Sequence, residues 1–303
     1  MFVSALAHGR PVATGGHATA RGSAVAPQSR YSRGFLDDRH DVARAAEALA
    51  GGAVIAHGFG QFYALMTRPD FDTVGQMNLW KGRPVDQVGS ICTSPLLIPS
   101  VFDWTKVPKR FDRTRLLAMM DALMSIGPFG FRGPAAGDIP THLSSIDGAC
   151  RTTQVIVPGY RCPSQNLISE SLRKAGSRYL YVTSANQSHH KTGAAEEPAH
   201  WQAGPLARDF GHVDELCVVQ HRSEAQARSM HPEHLPMSTS IISFHRALSN
   251  KSQPTVRLER HGSLHVERVA EIVHAHGFSL QVDLEAGSRL PVRQYPNCAP
   301  RCH

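Results

Sequence analysis

Short apolar runs alternate with longer runs of helical periodicity through most of this 303-residue chain. This alternation limits the possible folds more than any other feature, because strands interleaved with helices pack as a sheet covered by helices. The sequence therefore predicts an α/β domain with a twisted mixed sheet flanked by helices. Strands are predicted at residues 53–57, 61–67, 89–93, 154–157, 179–183, 215–219, 240–244 and 255–258. Helices are predicted before Gly51 and at residues 71–80, 113–125, 164–175 and 265–274.

The two ends of the chain lack this pattern. Residues 1–36 contain no Asp or Glu, four Arg and many small residues, which predicts a disordered leader, with an organelle transit peptide as the alternative. Order is predicted from residue 37, where two Asp residues can cap the first helix. The pattern fades after Gly277. The predicted organisation is a leader (1–36), one domain (37–277) and a tail (278–303). Within the domain, the Gly- and Pro-rich stretch 127–148 is predicted to loop across the surface.

Composition indicates a globular protein of a reducing compartment. With 41% hydrophobic residues the chain can bury a large core, and no apolar run reaches the ~20 residues that a bilayer requires. The six Cys are scattered without a Cys-x-x-Cys pair, so free thiols and a cytoplasmic location are predicted. Cys298, Cys302 and His303 end the chain and lack a fourth metal ligand, which favours an unstructured tail over a zinc site.

The charge balance indicates anionic partners. The formal net charge is +7 and the isoelectric point about 9.3, so phosphate-bearing molecules are attracted at long range. Charge by itself does not distinguish a nucleotide from RNA.

Polar side chains follow several predicted strands and helices, which is where α/β proteins bind ligands. Lys81 and Arg83 follow a helix and supply a point charge and a planar fork for phosphate or carboxylate. Small hydroxyl and amide side chains at 183–188 follow a strand and can line a nucleotide pocket. Hydroxyls at 238–240 and Arg260 border two further strands. Each stretch alone is equally compatible with an ordinary turn, cap or solvated charge pair.

Taken together and in order, these residues resemble the threonylcarbamoyl-AMP synthases, a family with the YrdC-like fold. The resemblance runs from about Asp38 to Gly277. Its most specific motifs are Lys-Gly-Arg-Pro at 81–84 and Ser-Ala-Asn-Gln-Ser at 184–188. Further matches are Gly-Pro at 127–128, Val-Ile-Val-Pro at 155–158, Thr-Ser-Ile-Ile at 239–242 and Arg-His-Gly at 260–262. The resemblance implies a single YrdC-like domain with a concave basic face, without the second domain of longer family members.

The resemblance also implies an activity. Such an enzyme, a nucleotidyltransferase, joins bicarbonate or CO2 to the amine of L-threonine and transfers AMP from ATP onto the carbamate, releasing pyrophosphate. The product then supplies a tRNA-modifying transferase. By position, Lys81 and Arg83 would be catalytic and would bind phosphates and carbamate, with Mg2+ assisting. The resemblance assigns nucleotide binding to those two residues and to Ser184, Asn186, Thr239, Ser240 and Arg260.

The sequence departs from the family in the part expected to contact the amine. Residues 58–61 read Gly-Phe-Gly-Gln where the family has a Thr-rich turn, so Phe59 replaces a hydroxyl. Tyr63 keeps the aromatic position of the next strand, and the resemblance makes Phe59, Tyr63 and Ser184 substrate-binding. Ile156 stands where the family has Arg, and nothing in the sequence shows that nearby Arg161 substitutes.

A third departure is His189, which replaces the Gly after the Ser-Ala-Asn-x-Ser motif. Three functions therefore stay open. The first is synthesis of a carbamoyl-adenylate from threonine or a close analogue. The second is activation of a carbamoyl group on another amine for small-molecule biosynthesis. The third is non-catalytic binding of RNA or nucleotide.

Overall fold

One mixed β-sheet organises the computed structural model, which describes residues 32–188, 197–213, 216–246 and 253–296. In this part of the chain the sheet has twelve strands, and the main path runs β1-β9-β2-β3-β8-β4-β7-β5-β10-β11-β12, with β6 paired to β7. The strands are β1 (Ser32–Phe35), β2 (Ile55–Phe59), β3 (Phe62–Thr67), β4 (Ser90–Cys92), β5 (Phe129–Pro134), β6 (Ser145–Asp147), β7 (Cys150–Val157), β8 (Leu180–Ser184), β9 (Cys217–Gln220), β10 (Ser240–Ser243), β11 (Thr255–Arg260) and β12 (Ser279–Val282). The predicted α/β class with a mixed sheet is confirmed.

Helices flank the sheet, and the first three along the chain begin at Asp caps. They are α1 (Arg39–Ala50), α2 (Phe71–Trp80), α3 (Arg113–Ile126), α4 (Ser164–Ala175), α5 (Ala203–Asp209), α6 (Glu224–Met230) and α7 (Val266–Ala275), with short 3-10 helices at Pro95–Val101, Thr141–Leu143 and Leu284–Ala286. Asp38 accepts hydrogen bonds from the backbone N–H groups of His40 and Asp41, as the sequence predicts for the first helix. Each described helix is too short or too polar to span a bilayer.

The sheet buries both of its faces. Phe62, Ala64 and Met66 pack in one hydrophobic cluster with α1 and α4, whereas Tyr63 and Leu65 pack in the other with α2, α3 and α7. Successive side chains of β3 alternate between the two clusters because a strand has a period of two residues. The candidate site lies toward the ends of β7, β8 and β11, where polar side chains reach solvent.

The stretch 127–148 is not the predicted surface loop. It contains β5, which pairs with β7 on one side and β10 on the other, and Phe129 and Phe131 are fully buried. A Cβ on Gly130 would lie 2.7 Å from the side chain of Ile241 and 2.9 Å from that of Ile156. The prediction was wrong because Gly serves here for close packing inside a sheet and not for a turn.

Order extends beyond the predicted domain at both ends. Strand β1 lies within the predicted leader and pairs in parallel with β9, and Leu36 is buried. Strand β12 lies within the predicted tail and pairs in parallel with β11. Both strands form because their backbones hydrogen-bond to the neighbouring strand. Amino-acid composition does not predict such pairing. Residues 1–31 and the terminal Cys298 and Cys302 lie outside the described residues.

Candidate functional site

The polar stretches singled out in the sequence converge on one cavity of about 260 Å³. Arg83, just beyond α2, lines this cavity together with Ser184 at the end of β8, Asn186, and Arg260 at the end of β11. In the sheet β8 and β11 are separated by β4, β7, β5 and β10, and residues of β4 and β7 line the cavity between them. The cavity is called the first cavity below.

The loop after α2 is built around a glycine. Gly82 has φ of +72°, and a Cβ at this position would lie 2.7 Å from the carbonyl oxygen of Ser188. The backbone N–H of Ser188 in turn donates to the carbonyl of Lys81 at 2.8 Å. Glycine is thus required both for the left-handed turn and for close contact between the 81–84 and 184–188 motifs.

Lys81 lies beneath the wall of the first cavity. Its side chain is fully buried, and its ammonium donates to the carbonyl of Ser184 and, at 3.2 Å, to Oδ1 of Asn186. The Ser184 hydroxyl donates to the same Oδ1 at 2.6 Å. In this structure the charge of Lys81 therefore holds the Ser-Ala-Asn loop in shape, and the phosphate-binding role that the resemblance implies for it stays a prediction.

Two guanidinium groups give the first cavity its positive charge. Arg83 is 8% exposed, and its Nη1 donates to Oγ1 of Thr183 at 3.0 Å. Arg260 donates from Nε to the carbonyl of Thr239 at 2.7 Å and from Nη2 to Oγ1 of Thr239 at 2.8 Å. Hydrogen bonds orient both planar groups before any ligand arrives, which reduces the entropy lost on binding an oxyanion.

Thr239 and Ser240 are fully buried and are not among the residues that line the first cavity. Thr239 orients Arg260, as described above. The Ser240 hydroxyl donates to the carbonyl of Leu264 at 2.9 Å and accepts from the N–H of Gly262 at 3.1 Å. The structure therefore gives both residues a supporting position, in place of the direct nucleotide contact that the resemblance implies.

Phe59 does not reach the first cavity either. It is the last residue of β2, is fully buried in the cluster with α1 and α4, and its ring centroid lies 5.5 Å from that of Phe62. The turn falls at Gly60 and Gln61, later than the sequence suggests, because β2 continues through Phe59. Phe62 lines the first cavity, whereas Tyr63 points to the other side of the sheet and lines a separate cavity.

The opposite edge of the first cavity comes from segments that sequence reasoning missed. Glu197 lines it, as do Leu290 and Pro291 of the predicted tail. Arg293 binds Glu197 through Nη1 and Asp209 through Nη2, each at 2.8 Å, and joins the two segments. No periodic pattern marks residues 284–296, so the sequence carries no signal for this contact.

His200 adds no charge beside this edge. Burial, reinforced by the positive charge of Arg293, lowers the pKa of His200 to about 3. The imidazole is therefore neutral at pH 7, and its Nδ1 lies 3.2 Å from the hydroxyl of Tyr295. The charged side chains on the described wall of the first cavity are Arg83, Arg260 and Glu197. The first cavity thus suits an anionic ligand that also carries a cationic or neutral polar group.

The sequence matches no protein-family model and no curated protein sequence. Solved structures do match. P. abyssi Sua5 complexed with L-threonine has a TM-score of 0.60 and 18% identity, over 87% of this chain and 65% of that chain. A double-substituted variant of P. abyssi Sua5 gives 0.60 and 18%, over 84% and 65%. A hypothetical protein from Streptococcus mutans UA159 gives 0.57 and 12%, over 85% and 99%.

The chain has the YrdC-like fold. It spans about 65% of the length of the P. abyssi Sua5 chains, so it matches part of that protein. The predicted YrdC-like fold with a mixed sheet flanked by helices is confirmed.

The structure shows where the residues that depart from the YrdC-like motifs lie relative to the first cavity. Ile156 lines the first cavity, so an apolar side chain lies where the resemblance leads us to expect a guanidinium. Its neighbour on the same face of β7, Gln154, donates from Nε2 to Oγ of Ser90 at 2.5 Å, and both also line the cavity. Arg161 is exposed and does not line this wall. His189 lies outside the described residues.

The period of β7 could have identified Gln154. Because strand residues two apart share a face, placing Ile156 at the site also places Gln154 there. Ser90 could not have been found in this way, since the pairing of β4 with β7 and β8 is visible only in the structure.

Proposed function

We propose that this chain is an ATP-dependent enzyme that forms a carbamoyl-adenylate from bicarbonate or CO2 and the amine of an amino acid, L-threonine or a close analogue. The observation that carries the proposal is the convergence of Arg83, Arg260, Ser184 and Asn186 on the first cavity, with Lys81 holding the loop that carries two of them. These are the residues to which the family resemblance assigns nucleotide binding.

The chemistry requires positioning and charge neutralisation. A carbamate oxygen attacks the α-phosphorus of ATP, a P–O bond forms there, and the bond to the bridging oxygen breaks as pyrophosphate leaves. Both reactants are anions, so fixed cations are needed to bring them together. Arg83 and Arg260 supply two planar guanidinium groups, and the Ser184 hydroxyl and Asn186 amide supply uncharged hydrogen bonds to oxygen.

Mg2+ is expected to enter with ATP. Magnesium usually retains several waters and binds one or two carboxylates along with substrate phosphates. Glu197 is the one carboxylate among the described residues that line the first cavity, and its ion pair with Arg293 limits it. The donor set therefore fits a metal held mainly by phosphate oxygens, whose role is to offset their charge.

Two observations bear on the identity of the amine. The L-threonine bound to P. abyssi Sua5 supports an amino acid as substrate, and a threonine product would serve tRNA modification in the cytoplasm through a tRNA-modifying transferase. One observation favours a different amine: Ile156 makes part of the cavity wall apolar where a cation is expected. The second candidate function is accordingly activation of a carbamoyl group on a less polar amine.

The test is turnover with a panel of amines. The full chain is incubated with ATP, Mg2+, bicarbonate and each amino acid or simple amine, and pyrophosphate is measured while the adenylate is identified by mass. Pyrophosphate with threonine and an adenylate of the corresponding mass support the first function. Pyrophosphate release with another amine but not with threonine supports the second function. The proposal is overturned if no amine in the panel leads to pyrophosphate release.

A further inference from the structure

A second cavity, of about 230 Å³, lies between the β2–β3 turn and the helices α5 and α6. Phe62 lines both cavities and forms the partition between them. Apart from Phe62, the side chains that line the second cavity have no part in the reaction proposed for the first cavity. Its wall includes the aromatic residues Phe62, Tyr63 and Trp201.

Trp201 presents a fixed aromatic surface. Its indole Nε1 donates to the carbonyl of Arg293 at 2.8 Å, and its backbone N–H donates to the hydroxyl of Tyr295 at 3.0 Å. The Trp201 and Tyr295 ring centroids are 5.2 Å apart. Because the single donor of the indole is already used, what the ring can offer a ligand is its face, and aromatic faces stack on planar molecules.

Two buried polar side chains line the same cavity with unused capacity. Gln61 donates from Nε2 to the carbonyl of His231 and, at 3.4 Å, to that of Arg228. Since carbonyls only accept hydrogen bonds, these contacts decide which end of the amide is nitrogen. Oε1 of Gln61, which is 6% exposed, has no hydrogen-bond partner among the described residues. Buried polar atoms of this kind call for an explanation, and a bound polar ligand is one.

His221 is the second such residue. Its side chain packs directly on Gly58, whose added Cβ would lie 2.6 Å from the imidazole. Neither ring nitrogen makes a hydrogen bond of good geometry with the described residues. Burial lowers the pKa of His221 to about 4, so at pH 7 the ring is neutral. A contact with the backbone of Gly60 engages one ring nitrogen in part, which leaves the other for a ligand.

Charge is confined to the rim of the second cavity. Arg222 is engaged elsewhere, with Nε 3.0 Å from the Asp37 carboxylate and the guanidinium 4.0 Å from the Phe35 ring centroid. Arg228 on α6 lines the cavity and is exposed to solvent. Glu224, which is exposed, also lines the cavity. The cavity therefore combines an aromatic wall, neutral polar groups at depth, and exposed charges of both signs, Arg228 and Glu224, at its mouth.

We propose that the second cavity binds a nucleobase, stacked on Trp201 and recognised along its edge by Gln61 and His221, with the attached phosphate at Arg228. A nucleobase has flat faces and neighbouring neutral donors and acceptors, which match this wall. A phosphate or a zwitterion placed at depth would instead require charged partners there. The base belongs either to a free nucleotide or to single-stranded RNA, both of which proteins hold by stacking and edge contacts.

Fluorescence of Trp201 tests this binding without reference to turnover. The chain has three Trp, so Trp80→Phe with Trp104→Phe leaves Trp201 as the reporter. Adding Arg83→Ala to this variant weakens nucleotide binding in the first cavity, so that the quenching reports on binding in the second cavity. We expect saturable quenching by nucleoside monophosphates and by a short single-stranded RNA. Much tighter binding of the RNA, with strong salt dependence, identifies RNA as the source of the base, and similar affinities identify a free nucleotide.

Three substitutions locate the binding. Gln61→Leu and His221→Phe each remove a polar edge contact and should weaken the binding of the monophosphates roughly 3- to 10-fold. Arg228→Gln should remove the advantage of a monophosphate over its nucleoside, whereas Arg208→Gln, an exposed arginine of α5 outside this cavity, should change nothing. Thermal melting identifies a variant that does not fold, and His221→Gln then replaces His221→Phe.

We expect the Kd of these ligands for the second cavity to lie roughly between micromolar and millimolar. The proposal is overturned if neither a nucleoside monophosphate nor the RNA quenches the fluorescence of Trp201 saturably in that concentration range. It is also overturned if Gln61→Leu and His221→Phe bind as tightly as the parent, or if Arg83→Ala alone abolishes the quenching. None of these results bears on pyrophosphate release, so the nucleobase site and the carbamoyl-adenylate reaction stand or fall separately.

Discussion

The Lys81 ammonium lies 3.2 Å from Oδ1 of Asn186, although 105 positions separate the two residues. Both motifs that carry the family resemblance are thus joined by a hydrogen bond from a fully buried cation. The bond also explains why a Lys in this structure can be a site residue without facing the cavity. Its removal is expected to affect folding as well as activity.

Lys81→Met should lower the free energy of unfolding by about 1–3 kcal/mol, because Asn186 and the carbonyl of Ser184 lose a buried charged donor. Pyrophosphate release should fall to background, since the Ser-Ala-Asn loop loses its shape. Denaturant unfolding and the turnover assay measure the two effects, with exposed Lys109→Met as the control. Unchanged stability in Lys81→Met would mean that the ammonium is not held as the structure shows.

Arg83→Lys should weaken ATP binding by about 10-fold while leaving stability within about 1 kcal/mol. The substitution keeps the charge but removes the planar fork that donates to Thr183 at 3.0 Å. Isothermal titration calorimetry with ATP and Mg2+ gives the dissociation constant. Arg115→Lys, on the exposed side of α3, is the matched control, and equal ATP affinity in both variants would remove Arg83 from the site.

Thr239→Val and Ser240→Ala separate a positioning residue from a structural one. Thr239→Val removes the oxygen that accepts from Arg260 at 2.8 Å and should weaken ATP binding roughly 3- to 10-fold with little loss of stability. Ser240→Ala leaves the N–H of Gly262 without its acceptor and should cost about 1–3 kcal/mol of stability with ATP affinity unchanged. The reverse pattern in calorimetry and unfolding would exchange the two roles.

Phe59 and Ile156 should respond differently in an amine panel. Phe59→Ala should destabilise the protein by about 3–5 kcal/mol, because the ring is fully buried, and should leave the order of amine preference unchanged. Ile156→Ala should change that order, because its side chain lines the first cavity. The rates of pyrophosphate release with each amine of the panel measure this order. A changed order in Phe59→Ala would show that Phe59 contacts the amine.

Stability should fall in mildly acidic solution. Burial lowers the pKa of His57 and His221 to about 4, and that of His200 and His234 to about 3, from an ordinary value of 6.5. Below pH 6.5 the unfolded chain binds protons that the folded protein excludes, so the free energy of unfolding decreases as the pH falls toward 4. The loss between pH 6.5 and 5.5 should be about 1 kcal/mol per histidine.

Denaturant titrations at several pH values measure the slope of the free energy of unfolding against pH. His57→Leu should reduce the number of protons taken up on unfolding, which sets this slope, by about one. His40→Gln, at an exposed position at the start of α1, is the control. A slope in His57→Leu equal to that of the parent would show that His57 is protonated in the folded state.

Helices were the most predictable part of the fold. The α2 and α4 bounds follow directly from local signals, an Asp cap and a stop at Gly176 respectively, because a helix is made by hydrogen bonds within one short segment. Strand β5 was missed for the opposite reason. Its Gly130 is explained by Ile241 and Ile156, residues that are distant in sequence and close only in the assembled sheet.

The candidate site divides in the same way. Motif order pointed to Arg83, Ser184, Asn186 and Arg260, and the structure places them around one cavity. Motif order also suggested roles for Phe59, Thr239 and Ser240 that the structure does not support, because a motif reports that a position is constrained without saying which neighbour constrains it. Glu197, Leu290 and Pro291 had no signal, because the two segments that carry them have no period and are joined by the Arg293–Glu197 ion pair only in the folded chain.

The sequence by itself determined the α/β class, the YrdC-like fold and the residues that bring cations and small polar groups to strand ends. These properties depend on local hydrogen bonding, on the period of apolar residues and on the spacing of motifs. Tertiary structure alone decided that Lys81 is a buried support, that Ile156 rather than Phe59 faces the first cavity, and that Gln61, His221 and Trp201 enclose a second one. Those outcomes depend on which side of the sheet a side chain points to and which distant segment packs against it, and both are set by strand pairing across the whole chain.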